Sequence, residues 1–505
     1  MTPTLNRKLI WFVIAFGIIC QTSQYLYNRS LWLDEAALAL KVRHFSYAEL
    51  IQPQTNETEP EGIAMQSSPL GFLFLTKLLT ESFGDSEYIL RLISLICALG
   101  AIILFYKVTG YFLNPFGRIL ALAFFVMSQH LIFYGSEFKS YSVDVFVVLL
   151  LVFIYLRTLR ENFSWPQTVF AGTAFAVAVW FSFPSLFVVG AIGLSMVFSG
   201  LTRKDNVHRV KVISLHSFWV LSFFFYYSFY LRTFINDEPL GSYWQGNYLP
   251  LHPQTADDFK WYYRHFLDMF QNPGGLELNV LCGILFIIGS ISLFRKRKHL
   301  AWMSGLIFLL TAMASGFKLY PFSGRLILFL VPFLYIALAE GLERSGFEML
   351  RAGKKPAYLF MAILLSAVFF YPMKTTIAHL FSPQLKAEIK PAIEFMRNNK
   401  VPIDKIYVYY NAVPAYRYYA EKRGGGDMDY VAGVKSRKDP QNYFDDIEKL
   451  KGEERVWFLF SNIYQDEEKI FLNYLDRVGL KVKQYRGVNA STYLYNLGES
   501  PKADN

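Results

Sequence analysis

Ser30-Leu31-Trp32-Leu33-Asp34-Glu35 is the stretch on which the reading of this chain turns. It lies just beyond the first strongly apolar segment, Leu9 to Tyr27. An acid pair at the edge of a span can take a proton, or hold a metal, while a lipid-borne substrate lies in the bilayer beside it. The same pair suits a helix N-terminus. Acids favour the positive end of the helix dipole, and Ala36-Ala37-Leu38-Ala39-Leu40 is helical in character. The rest of the chain favours the chemical reading.

Hydrophobic residues make up 53% of the chain and charged ones 18%, less charge than a soluble protein of this length carries. Apolar runs long enough to span, roughly 17–25 residues, recur along most of the sequence. The chain therefore reads as a polytopic α-helical membrane protein with about eleven transmembrane helices. They fall at 9–27, 86–108, 118–134, 141–157, 166–183, 184–200, 212–232, 278–294, 300–316, 325–343 and 357–373. Pro69 to Phe83 is apolar but short, and reads as a re-entrant or interfacial helix opened by Pro69.

A cytoplasmic N-terminus puts the basic clusters inside, as the positive-inside rule requires. These are Arg157 and Arg160, Arg203-Lys204 with Arg209 and Lys211, Arg295 to Lys298, and Arg344, Arg351, Lys354 and Lys355. The net charge of +10 is thus a matter of topology and implies no nucleic-acid partner. Met1 to Lys8 with the apolar run after it reads as an uncleaved first helix. Outside lie residues 28–68, 135–140, 233–279 and everything after Lys374. Cys20, Cys97 and Cys282 all sit in apolar segments with no CxxC pattern, so the outer parts are expected to fold without disulfides.

Two domains follow: a membrane module over 1–373, whose outer loop 28–68 carries the catalysis, and a small extracytoplasmic α/β domain over 374–505. In the second, Ile406 to Tyr410, Val456 to Phe460 and Thr492 to Leu497 read as strands. Asp466 to Arg477 reads as a helix ending near Gly479. Tyr409, Tyr410, Tyr416, Tyr418 and Tyr419 read as core and surface of this domain.

Ionisable residues at membrane depth are costly and so are functional candidates. Besides Asp34 and Glu35 they are Glu137, Lys139 and Asp144 around one outer turn, and Lys318 and Arg325 at another. If the first turn leads straight into a helix, Glu137, Tyr141 and Asp144 share one face. Arg325 offers a planar fork that fits two phosphate oxygens, although a cation there also suits simple snorkelling to headgroups. Arg91 reads as a structural partner of Glu87 or of an acid from another loop. Tyr243, Trp244 and Tyr248 in the long outer loop are sugar-contact candidates, and Tyr141, Asp144 and Tyr320 are further substrate-binding candidates. There is no Walker A loop, GxGxxG, HExxH or GxSxG, which removes the usual signatures of nucleotide-driven transport, zinc proteolysis and nucleophile-elbow hydrolysis.

The membrane part resembles the GT-C membrane glycosyltransferases, in particular the protein O-mannosyltransferases, the lipid A aminoarabinose transferases and their bacterial relatives. The resemblance rests on Trp32-Leu33-Asp34-Glu35, Ser67-Ser68-Pro69-Leu70-Gly71, Gly84-Asp85-Ser86-Glu87 with Arg91, Tyr134 through Glu137-Phe138-Lys139-Ser140-Tyr141, and Gly324-Arg325-Leu326 with Phe329 and Pro332. It implies a GT-C fold, a polyprenyl-phosphate-linked hexosyl or pentosyl donor, and an extracytoplasmic glycan, lipid or protein acceptor. The family's first-loop acid falls on Asp34 and its second outer acid on Glu137.

These residues allow a single displacement with inversion. Asp34 is the base, and Glu137 either orients it or holds substrate hydroxyls. Arg325, helped by Lys139 or Lys318, neutralises the leaving phosphate. No nucleotide sugar is needed, and no cofactor is assigned. A divalent metal bridging Asp34, Glu35 and the phosphate is compatible with the motif, but two acids with no matched histidine make a thin site. The rival readings are a ligase that moves a whole lipid-linked glycan, a polyprenyl-lipid or small-molecule transporter, and a non-catalytic sensor. The gathering of polar residues at one face favours chemistry over transport, and few cysteines suit a bacterial inner membrane.

Overall fold

The structure, a computed structural model, describes residues 3–51, 68–158, 163–200, 206–232, 244–351, 355–422, 429–437 and 439–498. The chain divides into two compact units. One comprises Met1–Tyr27, Ser68–Thr76 and Arg91–Pro383; the other comprises Asn28–Ser67, Lys77–Leu90 and Gln384–Asn505.

The first unit is helical. Seven of the described helices are long and apolar enough to cross a membrane: Leu5–Leu26, Glu87–Phe112, Asn206–Leu231, Asn279–Lys296, Lys298–Gly316, Gly324–Ser345 and Tyr358–Phe381. The helices Tyr141–Thr158, Trp165–Phe181 and Ser185–Gly200 occupy three more of the expected positions. The apolar run at 118–134 is not one helix. It breaks into Pro115–Val126 and Gln129–Tyr134, because the Ser128 hydroxyl accepts the Leu131 amide and caps a new helix. In lipid only small residues let helix backbones close on each other. Asn279–Lys296 and Val331–Arg351 do so at Gly289 and Gly341. A Cβ on the first would lie 1.8 Å from the Ala337 carbonyl oxygen, and one on the second 2.0 Å from that of Leu285.

The second unit is built on a five-stranded sheet: β1 (Lys405–Val408), β2 (Val431–Ala432), β3 (Val456–Ser461), β4 (Leu480–Gly487) and β5 (Ala490–Asn496). The strand order is β2-β1-β3-β5-β4. β1 runs parallel to β2 and β3, while β5 is antiparallel to β3 and β4. β3 is buried along its whole length, which is why it reads as a continuous apolar run. The hydropathy reading misses β4. Its side chains are exposed or half-buried, with Lys481, Lys483 and Arg486 along it, the composition that protects a sheet edge from further pairing. The helix Glu467–Val478 ends at Gly479, close to where the sequence places it.

Asp404 anchors the start of β1. It takes hydrogen bonds from Arg455 Nε (2.6 Å), the Trp457 indole (2.7 Å) and the Val401 amide (3.2 Å). Burial pushes its carboxyl toward the neutral form, but these donors outweigh that, and the group ionises below its ordinary 3.8. A lowered acid pKa stabilises the fold fully above the ordinary value, and that stabilisation is lost as pH falls through the folded value. Asp404→Asn should thus melt below wild type at neutral pH, with the gap narrowing only once the pH drops under 3.8. A gap of constant size down to the acid limit, in thermal melts of the two proteins, would contradict this.

Candidate functional site

Asp34 and Glu35 occupy the first turn of the helix Leu33–His44, so the local element is the helix N-terminus that favours acids. Trp32 is its N-cap and gives no side-chain hydrogen bond to the turn; the Ala36 amide bonds the Trp32 carbonyl at 2.9 Å. The two acids differ in setting. Glu35 is fully buried, its Oε1 3.9 Å from Nη2 of the equally buried Arg29, while Asp34 is half-exposed. A buried carboxylate needs a counter-charge. Glu35 and Arg29 therefore pair at the helix start, and Asp34 is the less buried of the two acids.

The segment ahead of Asp34 is clamped along its length. The Ser30 amide and hydroxyl donate to Glu388 (3.2 and 3.0 Å), and the Lys390 amide donates to the Ser30 hydroxyl at 3.1 Å. Lys390 Nζ reaches the Asn28 carbonyl at 2.6 Å, and the Leu31 amide donates to the Tyr419 hydroxyl at 2.8 Å. The Lys386 ammonium sits 3.0 Å from the centre of the Trp32 ring. At the far end of the helix, Arg43 bonds Asp85 and Glu421 and lies 4.6 Å over the Tyr418 ring. Glu87 is held by Lys422 (2.7 Å) and Lys390 (3.4 Å). Sequence reading missed Arg29, Glu388 and Lys390. No local pattern marks Glu388 and Lys390, because their partners are far away in the chain, and Arg29 meets Glu35 six residues on, outside any helical spacing.

In the helical unit, Glu137 and Lys139 are buried in the turn at 135–140. The expected shared helical face of Glu137, Tyr141 and Asp144 does not form. The helix begins at Tyr141, and Glu137 lies before it in an irregular turn, held by its amide to the Tyr134 carbonyl (3.4 Å) and by its carbonyl to the Lys139 amide (2.8 Å). Tyr141 instead meets Arg325, whose guanidinium carbon stands 5.6 Å from the ring centre. Tyr134 packs edge-on against Tyr141 at 5.1 Å.

Arg325 sits in the short helical segment Gly324–Leu330, entered through Gly324 at φ +48° and braced by the Tyr320 hydroxyl on the Leu326 carbonyl at 2.8 Å. Asp144 is 7% exposed. Its carboxylate faces the Ser182 hydroxyl, and Tyr226 and Tyr320 lie within its electrostatic reach. Lys318 stands apart on an exposed turn at φ +59°. Trp244 is half-buried at the start of a short helical turn, and Tyr243 lies outside the described residues. Among the described residues no three His, Cys, Asp or Glu side chains cluster as metal ligands.

The roles of Arg29 and Glu35 separate in a double-mutant cycle. Arg29→Met should cost about 3–5 kcal/mol by leaving Glu35 buried and uncompensated. Adding Glu35→Gln should restore much of the loss in thermal melts. An equal loss in single and double variants would show that the charge pair does not hold the helix start.

No family model matches the sequence, and no protein of curated function matches it. Solved structures do. ArnT from Cupriavidus metallidurans, in the apo state, aligns over 96% of this chain and 97% of its own, with a TM-score of 0.52 and 13% identity. The same protein bound to undecaprenyl phosphate aligns over 96% and 98%, with a TM-score of 0.54 and 13% identity. The archaeal oligosaccharyltransferase AglB from Archaeoglobus fulgidus, in complex with an inhibitory peptide and a dolichol-phosphate, aligns over 98% of this chain and 75% of its own, with a TM-score of 0.51 and 11% identity. Both are of the GT-C superfamily, and this chain has their fold across nearly its whole length.

Proposed function

We propose that this chain is an integral membrane glycosyltransferase that moves a sugar from a polyprenyl-phosphate-linked donor to an extracytoplasmic acceptor. One observation carries the proposal: the likeness of fold, over 96% of the chain, to a protein solved with undecaprenyl phosphate bound. The half-exposed Asp34 at the end of a clamped segment supports it. The topology that goes with it has about eleven spans, a cytoplasmic N-terminus and a C-terminal domain outside, in a bacterial inner membrane.

The reaction is a single displacement at the anomeric carbon. Asp34 takes the proton from the acceptor hydroxyl, whose oxygen bonds the anomeric carbon. The bond from that carbon to the phosphate oxygen breaks, and polyprenyl phosphate leaves with the electron pair. Arg325, held on Tyr141, neutralises the leaving phosphate, with Lys139 or Lys318 assisting. Glu35 keeps its charge buried beside Arg29 and positions Asp34. Glu137 holds donor or acceptor hydroxyls, and Tyr141, Asp144, Tyr320, Tyr243 and Trp244 line the sugar. One base and one displacement give inversion. A second version, transfer of a whole lipid-linked glycan, is favoured by the likeness to the oligosaccharyltransferase AglB.

The test is a panel of polyprenyl-phosphate sugars offered to purified protein. Asp34→Asn should lower kcat on the accepted donor by about 10²–10⁴-fold, the usual worth of a general base, and leave donor binding intact. Arg325→Ala should weaken donor binding instead. Wild-type turnover in Asp34→Asn, or binding of no donor at all, would overturn the proposal.

A further inference from the structure

The C-terminal sheet carries a feature that sugar transfer leaves unused. From β1 the chain crosses to β2 on one side, then returns past β1 to build β3 on the other. The carboxyl ends of β1 and β3 therefore flank a point where two connections diverge. Open α/β sheets bind ligands in the crevice at such a switch point.

Beyond β1 stand Tyr409, Tyr410 and Asn411; beyond β3 stand Asn462, Ile463 and Tyr464. Their floor is fixed. Glu467 is 5% exposed and accepts hydrogen bonds from the hydroxyls of Tyr409, Tyr410 (2.9 Å) and Tyr443 (2.9 Å). The Asn411 amide donates to the Asn462 carbonyl at 2.9 Å, tying the two strand exits together. The Tyr464 amide donates to the Tyr409 hydroxyl at 3.3 Å. Saturated by three hydroxyls, Glu467 orients rings and contributes no open negative charge.

What remains open is aromatic and cationic. Tyr464 is 38% exposed and Tyr410 is half-buried. Arg437, exposed on the segment after β2, stands with its guanidinium carbon 4.1 Å from the Tyr464 ring centre and 5.8 Å from that of Tyr410, and its Nε donates to the Tyr410 hydroxyl at 3.0 Å. Lys435 adds charge from the same segment, and the neighbouring Asp466 is paired with Lys469 at 2.6 Å. Flat rings suit the apolar face of a sugar, and a guanidinium edge suits a carboxylate or phosphate.

We infer that the crevice at the carboxyl ends of β1 and β3 binds an acidic sugar residue, its ring against Tyr464 and its carboxylate or phosphate on Arg437. The choice of a glycan rests on the transferase reading. Equilibrium binding needs no turnover, however, so the two fail separately. The site gives the protein a second hold on an acidic glycan, apart from the transfer chemistry.

The test is calorimetric titration of the full-length protein in detergent with digalacturonate, glucose 6-phosphate, neutral lactose and inorganic phosphate. At least one acidic sugar should bind saturably, and lactose should bind far more weakly. Arg437→Ala should weaken the acidic sugar by about tenfold or more, the worth of one charge-assisted contact. Arg437→Lys and Tyr464→Ala should cost less, and Asp34→Asn nothing. Unchanged melting temperatures show that the variants are folded. Binding of neither acidic sugar, binding indifferent to Arg437→Ala, or phosphate alone binding as tightly as the sugars would overturn the inference. Loss of binding in Asp34→Asn would assign the sugar to the transfer chemistry and overturn it equally.

Discussion

A charge taken out of water must be met by an opposite charge or by donors, and this constraint organises the chain more than any other. It fixes Glu35 beside Arg29 at the start of the helix Leu33–His44. It fixes Asp404 under Arg455 and Trp457 at the start of β1, and Glu467 under three tyrosine hydroxyls at its end. In each case one carboxylate is consumed to hold an element. In the helical unit the turn at 135–140 buries both Glu137 and Lys139.

Packing follows from a second constraint. Lipid offers helices no hydrophobic drive toward one another, so close approach depends on small residues. Gly289 and Gly341 supply it, each facing a backbone carbonyl. The sheet unit obeys ordinary water-driven burial. Its central strand β3 is wholly covered, and its edge strand β4 carries lysine and arginine outward.

Much of this was legible beforehand, for physical reasons. Long apolar runs announce spans, and the run in β3 announces a buried strand. Asp34 stood out because an acid beside a span is rare. What the sequence hid depends on distance along the chain. Ser30 bonds Glu388, and Leu31 bonds Tyr419, across more than three hundred residues, and no local periodicity records such a pairing. The helix break at Ser128 was hidden because a single capping hydroxyl inside an apolar run barely alters hydropathy. The face shared by Glu137 and Asp144 failed because it assumed helix where the chain makes a turn. β4 escaped because an edge strand is patterned to look like surface.

The account stands or falls on a single displacement driven by one base. The most direct measurement is the anomeric configuration of the transferred sugar, read by NMR on product made from a polyprenyl-phosphate donor of known configuration. Inversion is the predicted result. Retention of the donor's configuration would contradict it, since retention needs a second displacement for which Asp34 alone does not provide.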